Sequence, residues 1–333
     1  MAEQQALNAT FFAFKKREKM VLLPATVVAV VLNIVILAVF IFLSRNALID
    51  YFTWFSNMMK SGAMEPGATP DPSAMMPPAS VMGLFPLMFL LYFVQYVVIA
   101  AWEAACLKWM IRGETGGLFG LSLGADTWRV YFTYWLWFLL LMAVYVAFLI
   151  VVVVVFGVSA VSLGAGGQSD GQASASAVGA MIFLPFLLGL ALCIGLVFLA
   201  VRFAPAAATS IAEKRFAFFD AWKVSRGRFW PLLGAFAIFY LMFIVGYFIA
   251  GMILGLGMMG AMFSQMSAMR TGDAPVPPNA VMHMFLSPNF LVPMAIFYLV
   301  IFAAVFTFCI ALFGVNARAA ALALEEGKIT QAA

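Results

Sequence analysis

The residues with the most distinctive chemistry in this chain are soft ones. Met266 and Met269 form an MxxM pair, and Met282, His283 and Met284 set two thioethers around the single histidine. Thioether sulfur beside one imidazole suits Cu(I) and hardly suits Zn(II). Of the 22 methionines, seven fall within residues 57–88 and nine within 252–294. Methionine also reads as flexible apolar filler, and Met258, Met259, Met262, Met266 and Met269 fit one broad helical face. Glu103 and Arg202 lie near the ends of two long apolar runs, and Asn316 and Arg318 near the end of a third. A carboxylate at such a depth must protonate or find a cation. Glu103, Arg202, Asn316 and Arg318 are therefore expected to converge, with Arg202 the nearest partner of Glu103 and Arg318 the second. The cluster is either a latch between helices or a vestibule for a phosphate headgroup or small anion. Hydrolytic or nucleophilic catalysis needs a base beside a nucleophile, or several converging ligands. A lone His283 and three cysteines within apolar runs (Cys106, Cys193, Cys309) supply neither, so no catalytic residue and no cofactor is expected.

A second constellation is basic and aromatic. The stretch Glu213–Pro231, EKRFAFFDAWKVSRGRFWP, packs Lys214, Arg215, Lys223, Arg226 and Arg228 between two apolar runs. Wound as one helix, it places Phe218, Phe219, Trp222 and Phe229 on one stripe and Asp220 and Lys223 on another. A helix of that kind lies in a membrane interface, rings among acyl chains and cations near lipid phosphates. DTWRV at Asp126–Val130 repeats DAWKV at Asp220–Val224, and AFKK at Ala13–Lys16 is a fainter copy. Trp128 then matches Trp222, Arg129 matches Lys223, and Phe14 and Lys15 take the same place earlier in the chain. These residues imply anionic lipid as a partner, with a membrane protein or a second copy of the chain as another. Nothing in them points to nucleic acid.

The elements that position these groups are membrane spans. The chain is 65% hydrophobic and only 10% charged, with a mean hydropathy of +1.06. A soluble domain would carry about a quarter charged residues. Apolar runs of membrane-crossing length occupy about 20–44, 84–107, 131–156, 178–202, 230–262 and 291–315. Residues 45–60, with Leu48, Tyr51, Phe52 and Phe55 at helical spacing, read as a separate interfacial helix. All but three of the 18 Lys and Arg fall within 1–19, 108–129, 202–228 and 318–333, the exceptions being Arg45, Lys60 and Arg270. That asymmetry predicts that both termini are cytoplasmic and that the Pro-rich segment Gly67–Ser80 faces out. The expected fold is all-α and integral to the membrane, a single domain over 1–333. Its six transmembrane helices form three pseudo-repeated hairpins (1–115, 116–216 and 217–333), each preceded by an interfacial amphipathic helix.

Phe203–Ala206 (FAPA), Ala212–Arg215 (AEKR) and Asp220–Gly234 (DAWKVSRGRFWPLLG) resemble the membrane domain of glycerophosphoryl diester phosphodiesterase-like proteins and related bacterial multi-span membrane families. About a tenth of the chain carries that resemblance. In those proteins the hydrolase is a separate soluble barrel with paired carboxylates and histidines, which this chain has no room for. The resemblance thus implies a membrane module without the enzyme, in a bacterial inner membrane. The expected function is that of a non-catalytic scaffold or lipid-organising module. A small-solute or lipid transporter or channel is the first alternative, and an outer-side Met-rich Cu(I)-binding protein the second.

Overall fold

The computed structural model describes residues 22–60, 76–115, 117, 120–121, 123–165, 175–270 and 288–331. Nine helices run through them: α1 (Leu22–Lys60), α2 (Ala79–Met82), α3 (Leu84–Arg112), α4 (Ala125–Ala165), α5 (Ala175–Phe203), α6 (Ala206–Ala212), α7 (Ala221–Ser225), α8 (Phe229–Arg270) and α9 (Pro288–Glu325). Six of these segments are long and apolar enough to cross a membrane, so the protein is multi-pass and helical. Uniformly apolar helices are the stable solution there, because each satisfies its own backbone hydrogen bonds without water.

Helix boundaries follow from a few residues. Pro288 opens α9 and Pro231 sits in the first turn of α8, where a missing N–H costs nothing. Helix α3 stops at Gly113, which adopts φ 73° and donates its N–H to Trp109 O at 3.0 Å, the left-handed cap that favours glycine. Two expected breaks are absent. Residues 45–60 do not form a separate interfacial helix, because α1 runs unbroken for 39 residues. No Gly or Pro after Pro24 interrupts that run. Likewise DTWRV is no surface helix lying ahead of span three; it is the opening of α4, continuous with the span.

The packed core sits at one end of the bundle. Large apolar side chains along the rest of the helices are exposed, as with Phe42, Val153 and Leu299, consistent with a lipid-facing surface. At the charged end, small residues let backbones approach closely: Ala100, Ala101 and Ala104 of α3, every residue of α6 except Ile211, and Ala317, Ala320 and Ala323 of α9. Helix α6 packs against α3, α4 and α9 as a plug among the spans. Its hydroxyls are satisfied internally, Thr209 Oγ1 donating to Pro205 O at 2.8 Å and Ser210 Oγ to Ala206 O at 2.9 Å. Trp102 ties α1, α3 and α9 together: its Nε1 donates to Thr26 Oγ1 at 3.0 Å, and its ring meets Phe306 and Phe313 edge-on at 4.7 and 5.2 Å.

Candidate functional site

The end of α3, the start of α4 and the turn after α6 border an open cavity of about 380 Å³. Four cations line it: Lys108, Arg112, Arg129 and Lys214. Each arrives there for a local reason. Lys108 and Arg112 are one turn apart on the last turns of α3. Arg129 lies three residues after Asp126 on α4 and pairs with its Oδ1. Arg112 Nη1 meets Asp126 Oδ2 at 3.2 Å, while its Nη2 donates to the carbonyl of Ile211 in α6. Glu114 lies beside Lys108 at 3.4 Å and Arg112 at 4.0 Å.

Lys214 is held against its own backbone preference. Its φ is 55°, the one positive value at a non-glycine position among the described residues. A left-handed side chain other than Gly costs about 1–2 kcal/mol, and the position after a helix is where glycine ordinarily sits. Here a lysine sits there and lines the cavity. No carboxylate among the described residues lies within ion-pair distance of it. Gly124, Ala125 and Asp126 bring the first turn of α4 to the same wall. N–H groups of a helix's first turn lack acceptors within the helix and favour anions. The Arg112 side chain is only 8% exposed, and its Nε is buried with no hydrogen-bond partner.

The loop around Trp222 differs from the interfacial helix that its spacing suggests. It folds as turns and the five-residue α7, and its rings separate. Phe218 is buried and stacked on Phe203 at 4.9 Å, Phe219 is exposed, and Phe229 begins α8. Three of its cations are already engaged. Arg215 pairs with Glu213 at 2.7 Å and Asp220 at 2.9 Å, Lys223 with Asp220 at 2.7 Å, and Arg228 with Glu326 near the C-terminus. Burial pushes the Glu213 carboxyl above its usual range, partly offset by Arg215. The hydrogen bond from Lys328 holds Glu326 below its own, with Arg228 adding to that pull. Arg226 is exposed.

Arg202 does not meet Glu103. Its guanidinium lies 5.2, 5.0 and 5.4 Å from the ring centroids of Phe198, Trp222 and Phe229, and Nη1 donates to Ser225 O at 3.1 Å. Trp222 thus covers a cation, and Arg202 fastens α7 to α5. Cation–π contacts shielded from water are worth up to about 2 kcal/mol. Arg202→Met should therefore lower stability by about 2 kcal/mol and shift Trp222 fluorescence, with Arg202→Lys recovering part. Unchanged emission from Trp222 would rule out the stack.

Glu103, buried on α3, accepts a hydrogen bond from the hydroxyl of Tyr134 on α4. Arg318 pairs with Glu325 at 3.6 Å, and the Oδ1 of Asn316 is buried without a partner. The expected convergence of Glu103 with Arg202 is thus replaced by two separate arrangements. Tyr134 also lines an aromatic groove of about 490 Å³ between α3 and α4, with Phe89, Phe93, Tyr96 and Trp135. Met266 and Met269 fall in the last turns of α8. Phe14, Lys15, Met282, His283, Met284 and all of Gly67–Ser80 before Met76 lie outside the described residues. Sequence spacing did not reveal the basic cavity, because Lys108, Arg112, Arg129 and Lys214 come from three separate segments. The only sequence signal was a lysine where a helix-ending glycine would serve. Comparison with protein-family models, curated proteins and solved structures finds no match to this chain.

Proposed function

We propose that the protein is a non-catalytic, lipid-binding module of a bacterial inner membrane, holding an anionic lipid headgroup at its charged end. One observation carries the reading: four cations line a cleft beside the first turn of α4, and one of them, Lys214, has no carboxylate within ion-pair distance among the described residues. Each cation near an anionic surface contributes about 1 kcal/mol, and convergence in one cavity adds position to that attraction. Orientation follows from the Lys and Arg asymmetry, which puts this end and both termini in the cytoplasm.

The threefold hairpin repeat belongs to the same proposal. Asp126 takes one cation from Arg129, three residues on, and another from Arg112 at the end of the preceding span. Asp220 takes Lys223, three residues on, and Arg215 from just after the preceding span. The two aspartates thus fill matching roles, although one opens a long helix and the other precedes a short one.

Lys214→Gly separates binding from folding. It removes a cation and relieves a left-handed backbone, so the variant should be more stable by about 1 kcal/mol and yet retain less lipid. Native mass spectrometry of protein released from the membrane reads both the lipid count and its identity. Equal retention of phosphatidylglycerol by the two proteins would remove Lys214 from the site.

A further inference from the structure

The charge count of the cavity narrows what it receives. Lys108, Arg112, Arg129 and Lys214 bring four positive charges, and Asp126 and Glu114 bring two negative ones. Asp126 engages Arg112 with one oxygen and Arg129 with the other, so its charge is already shared between two cations. The surplus is two positive charges in a concave, partly shielded space. A phosphodiester headgroup carries one negative charge and would leave one cation uncompensated. A phosphate monoester carries about −1.5 to −2 at neutral pH and three acceptor oxygens. The Lys214 ammonium, with no carboxylate within ion-pair distance among the described residues, is a donor for those oxygens, and Lys108 and Arg129 line the same cavity.

Resting on the headgroup reading above, we infer that the ligand is a lipid with a terminal phosphate monoester, the headgroup chemistry of phosphatidate. The same chemistry on a soluble molecule would satisfy the cations equally, but the position of the cavity favours a lipid. It lies where α3 and α4 leave their membrane-crossing stretches, within reach of a headgroup whose chains remain in the bilayer.

The test measures affinity of the full chain in phosphatidylcholine nanodiscs doped at equal mole fraction with phosphatidate or phosphatidylglycerol. Phosphatidate should bind about tenfold more tightly, the effect of one extra charge pair at a partly screened site. Glu114→Gln raises the surplus by one and should tighten phosphatidate severalfold. Glu114 is half exposed, so that change leaves the fold alone. Free glycerol phosphate should compete only weakly. Equal affinity for phosphatidate and phosphatidylglycerol, both above phosphatidylcholine, would overturn the monoester assignment and leave the headgroup reading standing. No preference for either anionic lipid would overturn both. Competition by glycerol phosphate at matching affinity would overturn the lipid source.

Discussion

Replacing Arg112 with methionine should destabilise the protein by about 3–5 kcal/mol, the range for stranding one partner of a buried ion pair. Arg112 is nearly buried and serves three neighbours. It pairs with Asp126 at the start of α4, lies near Glu114, and donates to the Ile211 carbonyl in α6. Removing it leaves Asp126 with Arg129 alone and leaves the end of α6 without its bond from α3. Helix α6 is buried along its whole length, so its displacement would open the packed end of the bundle. Arg112→Lys keeps the charge and loses the planar fork, and should fall between the two. Thermal unfolding in detergent with and without Asp126→Leu measures the coupling: the double variant should recover part of the loss. A loss below about 1 kcal/mol, the value typical of an exposed pair, would mean that Arg112 is not the clasp.

The second large effect lies at Glu103. Tyr134→Phe removes one hydroxyl and strands a carboxyl that is 6% exposed in the packed end. An unsatisfied buried polar group costs about 1–3 kcal/mol, and a loss in that range is expected. Glu103→Met in the Tyr134→Phe background should return much of it, because removing both partners leaves nothing stranded. The cycle should show a coupling of at least about 1 kcal/mol. Additive losses would show that the pair is incidental.

The sequence made the long elements legible because each is a continuous apolar run. Six spans were expected and six membrane-length helices are present, several with ends extended by up to about three turns into the charged margins. Local breaks were harder to read. Aromatic residues at helical spacing in 45–60 suggested a separate interfacial helix, yet with no Gly or Pro to break it the chain simply continues as α1. The run through FAPAAATSIA hid a second helix. Pro205 separates α5 from α6, and only the packing against three spans gives those small residues a role.

At the charged end, composition indicated many cations but could not say which partner each would meet. Lys223, Arg215 and Arg228 each lie close to a carboxylate that neutralises them, one at i−3 and another from the far end of the chain. Arg202 was expected to seek Glu103 by depth. Three aromatic faces around it instead provide a partner without a carboxylate. Pairing of this kind depends on which helices become neighbours, and spacing along one chain does not encode it.

Two groups of cations therefore compete for the role of lipid site, and separating them tests the proposal most directly. Lys108→Gln, Arg129→Gln and Lys214→Gln together remove three cations from the cavity and keep Arg112 on α6. Lys223→Gln, Arg226→Gln and Arg228→Gln together remove three cations from the Trp222 loop. Affinity for phosphatidate in nanodiscs should fall by about a hundredfold in the first variant, taking about 1 kcal/mol per cation lost, and by no more than a few-fold in the second. A loss confined to the second variant, or equal losses in both, would contradict a headgroup held in the α3–α4 cavity.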